Sequence, residues 1–260
     1  MTNEIKQRKT IGSVIKAIDV INCLAQSDRE LGVTEISGAL GMGVSATYHL
    51  LNTLRECNII TQSEKSKKFK LSLKLWQIGM LAYGQNDISI TLTPFLKKLR
   101  DLTGETANLT VLDNDHIVYI AQEESVKPIK MFTKIGASAP LHCTGAGKIL
   151  LAYQNEDRRK SIVNNLVLER YTENTIIEKA DLSNELIKIK EQGYGFDEEE
   201  RNVDVFCIGA PIFGVNDEVI ACISISGPKS RFTKKVFPNW IKMVVEVAKE
   251  SSEFMKGNKL

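Results

Sequence analysis

The chain has 260 residues, 43% apolar and 25% charged, which is the composition of an ordinary globular protein and longer than one average domain. Its net charge of +2 conceals an asymmetry: residues 1–74 carry 11 Lys and Arg against 7 Asp and Glu, leaving 23 against 25 in the remainder. No apolar run approaches the roughly 18 residues of a membrane span, MTNEIKQRKT has no apolar signal-peptide core, and the five cysteines include no CxxC pair, so the expected setting is cytoplasmic, with reduced thiols, no membrane, no bound metal and no cofactor.

In chain order, Val14, Ile18, Ile21 and Ala25 mark a first helix beginning near Ser13. Two short amphipathic helices follow across residues 33–55, broken at Gly41-Met42-Gly43. Thr34 is the expected cap of the first, whose apolar positions are Ile36, Ala39 and Leu40. In the second, Thr47, Leu50, Leu51 and Leu54 share one stripe, and Ser45, Tyr48, His49 and Asn52 fall on the opposite face. One face packs; the other presents hydrogen-bonding side chains of moderate length, as a helix in the major groove must. Next come two short strands, Ile59–Gln62 and Phe69–Leu73, around a tip holding Lys65, Lys67 and Lys68. A basic hairpin after a helix-turn-helix is a wing, so residues 1–73 read as a winged helix-turn-helix domain for double-stranded DNA.

A connecting helix is expected over residues 74–87 and a second over Ser89–Thr103, with Leu92, Phe95, Leu96 and Leu99 on one stripe. From Thr106 the period changes to two. Strands are expected around Ala107–Val111, Ile117–Ala121 and Ile129–Thr133, with helices at Gly145–Tyr153 and Ser183–Gln192. Strands resume at Phe206–Phe213 and Val219–Ser226, and a helix from about Pro238 to Met255 ends the pattern. Residues 88–260 therefore read as an α+β domain in which helices pack on an antiparallel sheet.

Three features there bear chemistry. In HCTGAGK, Thr144 can cap a Gly-rich helix start whose unpaired N–H groups receive an anion. It is not a P-loop, because His142 stands where the first Gly is needed and Ile149 where Ser or Thr is. In VIACISIS, Cys222, Ser224 and Ser226 share one strand face. The acidic run Asp197-Glu198-Glu199-Glu200 precedes Cys207 by a short interval. Together they suggest a compact pocket for a small polar molecule, most naturally a carboxylate.

The segments SVIKAIDVINCLAQ, LHCTGAGKILLA, GYGFDEEERNVDVFCIGAPIF and ISISGPKSRF, with the helix-turn-helix, resemble the IclR family of bacterial transcriptional regulators over nearly the whole chain. The resemblance implies a winged helix-turn-helix, a linker helix and a GAF-like effector domain. It also implies a homodimer or tetramer on a palindromic operator, and a small-molecule effector that controls repression. Carried over by motif, it places the effector at Gly145, Ala146, Asp197, Cys207, Ser224 and Ser226, with Met131 and Val205 as apolar walls. The DNA-reading set is Thr34, Ser45, Ala46, Tyr48, His49, Asn52, Lys65, Lys67 and Lys68. There the chain departs from the family pattern: Gly43-Val44-Ser45-Ala46 stands where Pro-Lys-Ser-Thr is common, and His49 where Arg is, so the operator cannot be copied from relatives.

Two other classes compete. A cysteine-dependent enzyme would use Cys143 or Cys207, but His142 and Cys143 point to opposite faces of a strand and only His49, His116 and His142 are available as bases. A thiol or metal sensor would use Cys143, Cys207 and Cys222, which lack ligand spacing.

Overall fold

The computed structural model describes residues 10–84 and 87–257. The chain divides into two units after residue 86.

In the first unit, α1 (Gly12–Ala25), α2 (Val33–Leu40) and α3 (Val44–Glu56) precede the hairpin β1 (Ile60–Gln62) and β2 (Phe69–Leu71). Their core is Val20, Leu24, Leu31, Ile36, Leu51, Leu54, Ile60 and Phe69. Gly41 ends α2 with φ of 62°, a left-handed conformation that a Cβ would strain, and so fixes the turn into α3. The predicted Thr34 cap is replaced. Gly32 occupies the cap position, and the Glu35 carboxylate reaches back to accept from the Gly32 N–H at 2.7 Å. Glycine has no side chain to cap with, so the acid on the first turn satisfies the open donor. In α1 the packed face is Val20 and Leu24 with Ala17 and Ile21. Of the predicted stripe only Ile21 packs: Val14 and Ile18 are 56% and 50% exposed and Ala25 is exposed too, and in α2 Ala39 is exposed.

Helix α4 (Leu73–Gly84) follows the wing without an amphipathic pattern. Leu73, Trp76, Ile78, Met80 and Leu81 are all exposed. It is apolar and uncovered.

The second unit is a six-stranded antiparallel sheet of order β5-β4-β3-β8-β7-β6. The strands are β3 (Thr106–Asp113), β4 (His116–Glu123), β5 (Ser138–Pro140), β6 (Gly195–Glu198), β7 (Val205–Phe213) and β8 (Val219–Pro228). On one face lie α5 (Asp87–Thr103) and α9 (Phe237–Gly257), which bury Leu92, Leu96, Leu99, Val244 and Val247 against Ile208, Ile223 and Ile225. Each such side chain contributes roughly 1.5–3 kcal/mol over leaving it in water. On the other face lie α6 (Gly145–Ala152) and α8 (Lys179–Gln192), with α7 (Glu156–Asn165) beside them.

Three sequence expectations are corrected. Residues 129–133 form no strand: Lys130 is followed by a segment without regular structure that runs to residue 137, tied to β3 by the Thr106 hydroxyl donating to the Met131 carbonyl, with Ile129 solvent-exposed. Helix α7 escaped notice because it buries only Val163 and so has no apolar period. Strands β5 and β6 were too short to show one.

Candidate functional site

On α3, Thr47, Leu51 and Leu54 face inward, and the Thr47 hydroxyl donates to the Gly43 carbonyl. Ser45, Ala46, Tyr48 and His49 are exposed together on the outer side, with Tyr48 and His49 edge to face. Asn52 is half-buried, and its Oδ1 has no partner among the described residues. Thr34 is exposed at the start of α2. The wing lysines are not equivalent. Lys65 and Lys67 are exposed and make no ion pair among the described residues, whereas the Lys68 Nζ lies 3.2 Å from Glu35 Oε2. Glu35 also accepts from Arg29 at 2.7 Å. The Gly32 N–H, Arg29 and Lys68 together hold its carboxyl down at about 2.

In the second unit a cavity of about 190 Å³ opens beside the N-terminus of α6. That is about six waters at roughly 30 Å³ each, room for a small organic molecule and less than drug-sized ligands occupy. All eight residues assigned to an effector from the sequence line it: Met131, Gly145, Ala146, Asp197, Val205, Cys207, Ser224 and Ser226. Sheet register explains their meeting. Asp197 pairs with Cys207 and Cys207 with Ser226 across β6, β7 and β8, and Ser224 lies two residues from Ser226 on the same face. Glycine at 145 suits the close approach of β6, since a Cβ there would stand 3.1 Å from the Asp197 N and the Phe196 carbonyl carbon, a tight contact that the backbone would have to ease. Thr144 caps α6 by accepting from the Gly147 N–H, while its own hydroxyl donates to the Pro140 carbonyl.

The polar groups around the cavity are held by a second set of contacts. Asn108 donates to the Ser226 hydroxyl at 3.1 Å. Asp197 is buried, and its Oδ1 accepts from the Glu200 N–H at 2.8 Å. Burial first, then the nearby Glu200 charge, push its carboxyl up to about 7. Lys148 is 1% exposed and donates to Glu200 Oε1 and, at 3.3 Å, to Glu185 Oε1. Desolvation pushes the thiols of Cys143 and Cys222 up to about 12 and that of Cys207 still higher. Such thiols stay protonated at neutral pH and are poor nucleophiles and metal ligands.

The model of the bacterial transcriptional regulator IclR C-terminal region matches residues 80–253, and that of the IclR helix-turn-helix domain matches residues 13–64. The chain belongs to the IclR family. It is 35% identical over 250 residues to the HTH-type transcriptional regulator KdgR of Escherichia coli K12, covering 96% of this chain and 95% of that one. It is 32% identical over 237 residues to the transcriptional repressor AllR of Salmonella typhi, covering 91% and 87%. The crystal structure of the Thermotoga maritima IclR protein is 28% identical and superposes with a TM-score of 0.74, covering 95% of this chain and 100% of that one. Like its IclR-family relatives, the chain is a DNA-binding transcriptional regulator with a ligand-binding C-terminal domain, and no helix among its described residues is long and apolar enough to cross a membrane.

Beyond the residues that the IclR resemblance supplied, the cavity is also lined by Tyr119, Phe132, Thr133, Ser138, Arg201 and Asn202. Tyr119 sits in β4 with its hydroxyl pushed far above its ordinary range by burial. Arg201 was the residue to find: it follows the acidic run directly, and a lone cation ending four acids is a visible sequence signal.

Proposed function

We propose that this protein is a repressor whose hold on a palindromic double-stranded operator is controlled by a small carboxylate bound in the 190 Å³ cavity. The observation that carries the reading is the convergence of the α6 N-terminus, the Ser224 and Ser226 hydroxyls and Asp197 on one cavity, in a chain that also bears a winged helix-turn-helix. Unpaired N–H groups at a helix start favour an anion. Relatives named as repressors support the sign of regulation.

Ser45, Ala46, Tyr48, His49 and Asn52 are assigned to base edges and nearby backbone, with Thr34, Lys65, Lys67 and Lys68 toward phosphates. A palindrome calls for two recognition helices. The uncovered apolar surfaces of α1 (Ile11, Val14, Ile15, Ile18) and α4 (Leu73, Trp76, Met80, Leu81) support a homodimer, or a tetramer as a pair of dimers. Ligand then acts by population shift, favouring one state of the effector domain over another and with it one spacing of the recognition helices.

A thermal-shift screen of the purified protein against small carboxylic, sugar and aromatic acids tests this reading, since a ligand bound only to the folded state raises Tm. An acid that raises Tm and also changes operator binding supports it. A DNA response that survives substitution of Ser226 or Asp197 would show that the ligand sits elsewhere. The thiol-sensing alternative is disfavoured by the raised thiol pKa values, and a cysteine enzyme by the same fact.

A further inference from the structure

Resting on the cavity being the effector site, we propose that Arg201 is the residue that reads the ligand's negative charge, so that an acid and not its neutral amide is the effector. Arg201 lines the cavity with its guanidinium laid flat on the Tyr171 ring, 3.8 Å from the centroid. Its Nη1 is buried and has no partner. No carboxylate forms an ion pair with it among the described residues, although four acids precede it in the chain.

Those acids are committed elsewhere. Asp197 accepts backbone N–H groups of Glu200 and Arg201, and burial raises its carboxyl to about 7. Glu200 is held by Lys148 and Glu199 by Lys229, while Glu198 lies 3.6 Å from the same Lys229 amine. The tyrosine under the guanidinium donates its hydroxyl to Glu169. What remains is a cation that rests on an aromatic ring without a carboxylate partner among the described residues, with one buried donor unpaired at the wall of a small cavity. An unsatisfied charged donor is costly, and a ligand carboxylate meets the guanidinium fork in two parallel hydrogen bonds.

The loop carrying Arg201 is fixed before any ligand arrives. Glu199 and Asp204 bracket it in left-handed conformations, with φ of 58° and 62°. Thr172 and Thr175 hydroxyls donate to the carbonyls of Glu199 and Glu200 at 2.6 and 2.7 Å, and the Lys229 N–H donates to the Asp204 carbonyl at 2.8 Å. An arginine on so fixed a loop loses little freedom on binding.

The test compares acid and amide pairs in thermal shift, using pyruvate with pyruvamide, gluconate with gluconamide and 4-hydroxybenzoate with 4-hydroxybenzamide. It uses the full-length wild type and the Arg201→Gln and Arg201→Lys variants. The expected result is that at least one acid raises the wild-type Tm and its amide does not, that Arg201→Gln loses the shift, and that Arg201→Lys keeps part of it. Without ligand, Arg201→Gln should melt within a few degrees of wild type, since the variant gives up the stacking on Tyr171 but no carboxylate ion pair. A large fall in the ligand-free Tm would make Arg201 structural and overturn the proposal. Equal shifts from acid and amide, or an acid shift that survives in Arg201→Gln, would overturn it while leaving the cavity as the effector site. No shift from any of the six compounds, or a shift that persists when Ser226→Phe fills the cavity, would overturn both.

Discussion

The outer face of α3 and the cavity beside α6 are both surfaces of polar side chains, yet they are built in opposite ways. On α3, Ser45, Tyr48 and His49 project into solvent, and among the described residues no hydrogen bond holds their side chains. Around the cavity, Asp197, Ser226 and Arg201 are each fixed by neighbours, and Lys148 holds Glu200 at almost complete burial. DNA arrives as a large partner whose backbone contacts set the register, so its reader can order on binding. A molecule of a dozen or fewer atoms cannot supply that ordering energy, so its reader has to be in place beforehand.

The sharpest way to break this comparison is to test the proposed pairing of protomers through α4. Trp76→Asp with Leu81→Asp should leave the effector unit folded but give a monomer in sedimentation. Operator affinity should fall on the order of 10²–10⁴-fold, the avidity of two linked half-sites. A dimer that survives both charges would move the interface off α4.

The buried reader breaks differently. Lys148→Met strips the cation from Glu200 and Glu185 and should cost about 3–5 kcal/mol in chemical denaturation, because a charge is left buried without its partner. Adding Glu200→Gln should recover much of that loss. If the single variant is as stable as wild type, the cavity wall is not held by this pair.

What the sequence revealed follows the same division. Helix α3 was legible because its inward stripe and outward polar set obey a 3.6-residue period. The helix start, the strand hydroxyls and the acidic run were legible as separate features that suggested a pocket, but Asp197, Cys207 and Ser226 meet by strand register across β6, β7 and β8, which no local period encodes, so the residue set came from motif resemblance. Thr34 misled because Ser and Thr are the usual caps, whereas Gly32 uses a side chain three residues on. In α1 the stripe Val14, Ile18, Ile21 and Ala25 is not the core face: Val20 and Leu24, outside it, fill the core, and Val14 and Ile18 remain uncovered.

Asp197 offers a pH test. Its carboxyl moves from an ordinary 3.8 to about 7 in the folded protein, so the folded state holds its proton over that window while the unfolded chain has lost it. The stability this contributes is present below the ordinary value and is lost as pH rises toward 7. Wild type should therefore lose stability relative to Asp197→Asn between pH 4 and pH 7, by a few kcal/mol at most, with no further divergence above. A pH-independent difference between the two would place the proton elsewhere. A ligand anion bound beside Asp197 should also bind more weakly once pH passes 7.

Effects on the exposed reader are smaller. Tyr48→Ala or His49→Ala should each cost about 1–3 kcal/mol of discrimination at one operator base pair, seen as relaxed preference in binding to single-base operator variants. Uniform weakening across all variants would instead mark a phosphate contact.

The wing gives the finest test, since its three lysines differ in what already holds them. Lys65 and Lys67 make no ion pair among the described residues, so replacing both with alanine should lower the salt slope of operator binding by about 2 per protomer. Lys68 is already engaged with Glu35, itself held down at about 2 and tied to Gly32 and Arg29. A phosphate would have to compete with that carboxylate, so Lys68→Ala should change the slope little and weaken DNA binding mainly by loosening the junction of α2 and the wing. A full unit of slope lost in Lys68→Ala would mean that the pair opens on DNA, and that this lysine is ordered by its target like the side chains of α3.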